Sequence, residues 1–261
     1  MLILAFIDSV QYADPLRHCA TARKIRIVNT VSPYRDSSGR TLDEYPRPSV
    51  AVDTAVLTIT DAGGLAVLLA LTDGAVRAGT EEWRLPGTFI HPGETLAAAV
   101  LRSLRTKAGI EGLAPRQLHV FDEPTRDERG WVLSVAHYDV VRMDRLATSD
   151  RSRVVPIGAL PALTYDHAAI VAFAVDALRA EYRRMPDPAG LIDDSFTLRE
   201  LRAVHESVAG ERLLPDTFRR SMQPLLVATG ELSRSGRGRP AQLYRRRPAD
   251  AVGRSRQDGG L

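Results

Sequence analysis

Leu85-Pro86-Gly87-Thr88-Phe89-Ile90-His91-Pro92-Gly93-Glu94, leading into a run that ends at Ala108-Gly109-Ile110, is the stretch that decides the fold. Its Pro and Gly content reads as a loop, and Glu94–Ala108 then reads as a helix, with Leu96, Val100, Leu101, Leu104 and Ala108 recurring at helical spacing. Gly109 supplies the stop. Upstream, Val50–Ile59 and Leu65–Leu71 are apolar strands, and the Asp61-Ala62-Gly63-Gly64 turn between them makes a hairpin. Downstream, strands are expected at Gln117–Asp122 and Val132–Val141. A second long helix is expected at His167–Arg184, with Ile170, Phe173, Ala174 and Leu178 on one side. Strands alternating with helices in this way indicate an α/β layer architecture.

The loop and helix resemble the Nudix box, in which Gly, five residues, Glu and seven residues precede Arg-Glu-apolar-any-Glu-Glu-any-Gly-apolar. The register holds without gaps. Glu94 matches the first Glu, Arg102 the Arg, Leu104 the apolar position, and Gly109 and Ile110 the end. The departures fall at the chemistry, because Ser103, Thr106 and Lys107 stand where the family has glutamates, and Thr88 stands for the leading Gly. Spaced by three and four, those positions are expected on one helix face. In active relatives that face holds hard divalent cations through carboxylate oxygens. With Ser, Thr and Lys there, the resemblance implies the scaffold without the hydrolase and with no bound metal. A nucleoside diphosphate can still be held by guanidinium and backbone N–H groups. Trp83 and Arg84, just before the loop, are candidates for stacking and charge, with Glu94 and Arg102 as further candidate contacts. An arginine at the Arg102 position serves more often as an internal salt-bridge partner, for instance with Glu94, than as a ligand contact. A rival reading keeps the enzyme and draws metal ligands from Asp122, Glu123, Asp127 or Glu128.

The chain changes character after Met185-Pro186-Asp187-Pro188-Ala189-Gly190, the best linker in the sequence. Phe196-Thr197-Leu198-Arg199-Glu200-Leu201 is a capping box, in which Thr197 caps, Glu200 reaches back, and Phe196 and Leu201 form the staple. The helix it opens is broken by Gly210. Pro215 then suits the first position of a short helix, Asp216 its positive end, and Pro224 its stop. Leu225–Ala228 and Gln242–Arg246 are expected as two strands joined by a Gly/Arg-rich turn. Phe218 and Met222, one turn apart, are expected in the core, and His205 on the surface. Residues 212–247 carry nine Arg and two acidic residues, a concentration that suits a polyanionic partner.

Taken together, the decayed Nudix box, Tyr165-Asp166-His167, Phe218-Arg219-Arg220 and the wing Gly238-Arg239-Pro240-Ala241-Gln242-Leu243-Tyr244-Arg245 resemble the NrtR family, Nudix-related transcriptional regulators of NAD metabolism. The resemblance covers about Tyr45–Arg247. It implies an α/β fold, a Nudix-like α/β/α sandwich followed by a C-terminal winged helix. It also implies a homodimer on a palindromic double-stranded DNA operator, and release by ADP-ribose or a related nucleotide. Thr217, Arg219, Arg220, Ser221 and Gln223 are the candidate base and phosphate readers of the short helix, and Arg234, Arg237 and Arg239 those of the wing. An adaptor whose winged helix docks a protein is a further alternative, which the Arg-rich wing disfavours. For Tyr165-Asp166-His167 the simplest reading is a helix start capped by Asp166.

At roughly 100–200 residues per domain, 261 residues accommodate the two domains, and 44% hydrophobic content is enough for a core in each. The expected division is 1–44 as an N-terminal extension of little period, 45–186 as the effector domain, 187–247 as the winged helix and 248–261 as a disordered tail. Cys19, the only cysteine, excludes an internal disulfide, and no apolar run approaches the roughly 20 residues of a membrane span. A cytoplasmic location is the simplest expectation, and no membrane partner is expected.

Overall fold

The structure is a computed structural model that describes residues 34–72, 82–146, 149–233 and 240–247. The chain divides after Pro46 into two compact units. In the described part of the first, Thr41 and Glu44 close a capping box around one 3₁₀ turn, Leu42–Glu44. The wing arginines Arg234, Arg237 and Arg239 and the tail lie outside the described residues.

The second unit opens with β1 (Ser49–Ile59), buried continuously from Ala51 to Thr58, as a strand covered on both faces must be. β2 (Leu65–Leu71) pairs with it antiparallel across the expected hairpin. Gly63 adopts φ +83° in the turn, which a Cβ would strain. β3 (Trp83–Arg84) and β4 (Gly87–Phe89) flank the Leu85-Pro86 dipeptide. After α1 (Leu96–Ser103) come β5 (Arg116–Phe121), β6 (Val132–Val140), β7 (Ser152–Pro156) and α2 (His167–Tyr182). The sheet runs β3-β2-β1-β6-β5, with β4 also on β1 and β7 on β2. β1 and β6 are parallel from Ser49–Val132 to Leu57–Val140, and the other pairs are antiparallel.

Because side chains alternate along a strand, the two sheet faces build separate cores. Val52, Val56 and Leu68 point to the side of α1 and pack with Ala99, Val100 and Leu104. Ala55, Leu57, Leu65, Val67 and Leu69 point to the other side and pack with Ile170, Ala174 and Leu178 of α2. This is the α/β/α sandwich. Two residues expected on apolar helix faces, Leu101 and Phe173, are exposed at their rims.

α1 is shorter than the periodicity indicates. Thr95 caps it, and after Ser103 the chain widens into a π turn, Leu104–Ala108, ended by Gly109 at φ +69°. Ser103, Thr106 and Lys107 therefore do not share one face. Ser103 is fully buried, the exposed Thr106 hydroxyl donates back to the Arg102 carbonyl at 2.9 Å, and Lys107 is half-buried at a cavity wall. A π turn adds about one residue per turn, which breaks the three-and-four spacing.

The C-terminal part contains α3 (Leu198–Ala209), α4 (Pro215–Met222), β8 (Leu226–Leu232) and β9 (Gln242–Arg246). Thr197 and Glu200 close the capping box, and Phe196 and Leu201 are both buried in a small core with Phe218, Met222 and Leu226. β8 runs four residues beyond the expected Ala228 because Gly230, at φ +82°, lets the strand bulge and resume pairing at Leu232–Gln242. Phe196 and Tyr244 exchange backbone hydrogen bonds at 3.0 and 2.8 Å, adding a one-residue third strand to the wing.

Candidate ligand cleft and nucleic-acid interface

β1 pairs with β4 through Ala51–Asp53 and with β2 only from Leu57 onward, and the sheet parts between them. A cavity of about 190 Å³ lies against the Ala51–Asp53 end of β1, walled by the Gly87-Thr88-Phe89 strand, Lys107 of the π turn and the start of α2. Four cationic side chains (Arg84, Lys107, Arg126, Arg129) and two carboxylates (Asp53, Asp127) line it. Gly87 is required on steric grounds, since a Cβ there would fall 1.9 Å from Asp53 Oδ1.

The carboxylates are already committed. The Ser134 hydroxyl donates to Asp53 at 2.6 Å, His167 Nε2 lies 3.4 Å from it, and Arg126 lies at 3.8 Å. The Leu85 N–H donates to His167 Nδ1 at 3.1 Å, so the ring proton sits on Nε2, facing Asp53. Burial pushes the Asp53 carboxyl upward, but the His167 and Ser134 hydrogen bonds and the Arg126 charge hold it below its ordinary value. Asp127 is gripped by Arg129 at 2.9 and 2.7 Å. The Arg129 guanidinium in turn lies between the rings of Phe89, at 5.3 Å, and Tyr165, at 4.9 Å. Cations and aromatic faces thus share one wall.

The expected contacts divide. Arg84 lines the cavity. Trp83 does not: it is buried, and Arg153 covers its ring at 4.0 Å, since its strand position turns it toward the sheet rather than the cleft. Glu94 and Arg102 bind each other at 2.7 Å, and Arg102 also donates to Thr88 Oγ1 and the Phe89 carbonyl. That pair staples the loop onto α1, and Arg102 with the His91 N–H holds the Glu94 carboxyl down at about 2. Asp166 stands at the cap position of α2, but its side chain makes no cap bond and grips Arg126 instead. Composition does not flag Arg126, Arg129, Tyr165 or His167 as cleft residues. Their signal was the dense charge of Arg126–Arg129 and the Tyr165-Asp166-His167 triplet.

A divalent cation fits this cleft poorly. Of the three Nudix-box glutamate positions that are substituted here, only Lys107 reaches the cavity, and both carboxylates present are neutralised by arginines. Among the described residues no three His, Cys, Asp or Glu side chains converge in metal-holding geometry. Asp122, Glu123 and Glu128 are exposed outside the cavity, so the displaced-ligand reading gains no cluster from them.

In the C-terminal domain, Phe218 and Met222 anchor α4, and the helix turns its other positions outward. Arg219, Arg220 and Gln223 share the solvent face, with Arg219 Nε donating to Gln223 Oε1 at 3.0 Å. Thr217 and Ser221 lie about a third of a turn away and border a larger cavity, about 480 Å³, between α2, α3 and α4. The expected five therefore form one Arg–Arg–Gln face and one hydroxyl face.

His205 is a correction: it is 4% exposed, not a surface residue. Its ring packs between those of Tyr182 and Phe218, each 4.9 Å away, and Nε2 accepts from the Asp187 N–H at 3.3 Å. Burial, opposed by nearby Asp187, lowers its pKa to about 4. The linker is likewise more than a tether. Asp187, fully buried at φ +45°, accepts from the Tyr182 hydroxyl at 2.6 Å and from the Leu191 and Ile192 N–H groups at 2.9 and 3.1 Å. It also pairs with Arg246 of β9. α2 thus starts at the cleft and ends at a buried junction that holds α3 and the wing.

The NUDIX domain family matches residues 50–172, and the NrtR DNA-binding winged helix domain matches residues 188–246. The chain is similar to the ADPR responsive transcriptional repressor NtrR of Acinetobacter baylyi, with 30% identity over 211 residues, 77% of this chain and 83% of the relative. It is similar to the crystal structure of Shewanella oneidensis NrtR complexed with a 27mer DNA, at TM-score 0.62 and 30% identity, covering 78% of this chain and 95% of that one. A shorter likeness, 33% identity over 90 residues, 33% of this chain and 53% of the relative, is to an ADP-ribose pyrophosphatase of Methanocaldococcus jannaschii. With a Nudix sandwich, a cation-lined cleft and an arginine-bearing winged helix in one chain, this protein belongs to the NrtR family of transcriptional regulators.

Proposed function

We propose that the chain represses transcription by binding a palindromic DNA operator as a homodimer, and releases it when ADP-ribose or a related nucleotide fills the Nudix cleft. The observation that carries this reading is the joining, in one chain, of a cleft lined by Arg84, Lys107, Arg126 and Arg129 to a winged helix whose α4 presents Arg219, Arg220 and Gln223. Guanidinium and ammonium groups suit a diphosphate, and the Phe89 and Tyr165 rings offer faces to a base or ribose. By the family resemblance, the genes controlled serve NAD synthesis or salvage, or pentose use.

On DNA, α4 enters the major groove. Arg219 or Arg220 takes a guanine edge while the other, with Arg234, Arg237 and Arg239 of the wing, holds phosphates. Effector and operator oppose each other only if they favour different arrangements of the two domains. α2 joins the sites: Tyr165, Asp166 and His167 stand at its cleft end, and Tyr182 meets Asp187 at the other. The chain is not a hydrolase in this reading, because Ser103, Thr106 and Lys107 replace the carboxylates that would hold an activating metal.

The test is a fluorescence anisotropy titration with promoters of NAD-biosynthesis genes from the same genome, with and without ADP-ribose, in wild type and Arg219→Ala. Sequence-specific binding that the variant loses and ADP-ribose releases is expected. Weak, sequence-blind binding that fades with salt would overturn the operator assignment.

A further inference from the structure

Resting on the sensor reading, we infer that Lys107 replaces the divalent metal of the Nudix cleft, so that the chain binds a nucleoside diphosphate without magnesium. The argument begins with the position: Lys107 occupies a Nudix-box glutamate position and, alone of the three substituted residues, lines the cavity. A lysine is a compact positive charge on a flexible stem, and it suits a phosphate oxygen as a point-charge contact. The π turn of Leu104–Ala108 fixes where that stem begins.

The rest of the cleft agrees. Asp53 and Asp127 are the carboxylates a metal would need, but Asp53 already accepts from Ser134 and faces His167 and Arg126, and Asp127 is clasped by Arg129. A magnesium ion entering would displace those partners and sit among four cationic side chains. Magnesium also sheds its water reluctantly and is held through carboxylates or substrate phosphates. A diphosphate entering alone finds the positive charge already in place. The charge that the family's enzymes import as an ion is here covalently attached. Because no bound ion activates water, the nucleotide is held uncleaved, as a sensor requires.

Isothermal titration of ADP-ribose into the full chain tests this, in EDTA and in millimolar magnesium, with wild type, Lys107→Gln, Lys107→Arg and Lys107→Glu. Wild-type affinity is expected to agree within about twofold between the two conditions. Lys107→Gln is expected to bind about tenfold more weakly in both, the loss of one charge-assisted contact, with Lys107→Arg restoring most of it. Lys107→Glu is expected to bind poorly in EDTA and to recover in part with magnesium. Thermal melting followed by circular dichroism shows that each variant is folded. A wild type whose affinity rises tenfold or more with magnesium, or a folded Lys107→Gln that binds like wild type, overturns the inference and leaves the sensor reading standing. No binding by wild type in either buffer removes both.

Discussion

His205 carries the clearest pH dependence among single residues. Its pKa, ordinarily near 6.5, falls to about 4 because the ring is buried between Tyr182 and Phe218, with Asp187 and, through it, Arg246 as the nearby charges. A group that resists protonation when folded contributes stability above its unfolded pKa, and that stability is lost as pH falls from about 6.5 toward about 4. Urea denaturation between pH 7 and pH 4 is expected to show this acid loss. His205→Gln, which has nothing to titrate, is expected to flatten it, and an unchanged profile would contradict the burial. Gly87 makes a second residue-scale case. A methyl group would meet Asp53 Oδ1 at 1.9 Å, so Gly87→Ala must push the loop or Asp53 aside. A stability loss of about 1–3 kcal/mol and weakened ADP-ribose binding are expected, the latter read by calorimetry. Neither effect was legible from composition. A histidine on a helix and a glycine in a loop look ordinary until the chain brings distant residues against them.

At the scale of elements, α3 was readable in advance because its signals are local. Thr197, Glu200 and their neighbours need only a few adjacent residues to form the cap, and the structure makes each expected bond. Thr197→Ala is expected to cost about 1 kcal/mol, measurable as a lower unfolding midpoint. The α1 region was half-readable. Its cap, apolar stripe and terminal glycine are local, but the π turn that separates Ser103, Thr106 and Lys107 is imposed by packing against the sheet. The short strands β3, β4 and β7 are not legible in the sequence because two to five residues carry too little periodicity, and their pairing partners lie far along the chain. The segment 185–190 misled for the same reason. Its Pro and Gly content does mark a boundary, yet Asp187 within it is the buried knot between α2, α3 and β9. Asp187→Ala removes the buried carboxylate that Tyr182, two backbone N–H groups and Arg246 share, leaving Arg246 only the exposed Asp194 as counter-ion among the described residues. It is expected to cost about 3 kcal/mol and to blunt the release of operator by ADP-ribose more than operator binding itself.

For the whole molecule, the consequence is an electrostatic one. Operator affinity is expected to fall linearly with log salt, and replacing a wing arginine proposed to hold phosphate, such as Arg239, by Gln is expected to weaken all sequences alike and reduce the slope by about 0.9. Arg219→Ala differs: about 1–3 kcal/mol is lost, chiefly on the specific operator, so the ratio of specific to non-specific binding falls. Equal losses on both DNAs would assign Arg219 to phosphate. From the amino-acid order alone came the two domains, the sandwich and winged-helix classes, the decayed metal positions and the arginine face of α4. The helix stops, the cap and the arginine face rest on periodicity, capping and spacing within short windows, and the sandwich and winged-helix classes on the resemblance those short motifs carry. The tertiary structure alone decided that Trp83 turns toward the sheet instead of the cleft, and that Arg126, Arg129, Tyr165 and His167 wall it, whereas the Glu94–Arg102 pair was legible beforehand. It also decided that, of the three substituted glutamate positions, Lys107 is the one that reaches inside. Those facts depend on which strand crosses which, and on how a buried carboxylate finds its cation across the fold, and no short window of sequence contains that information.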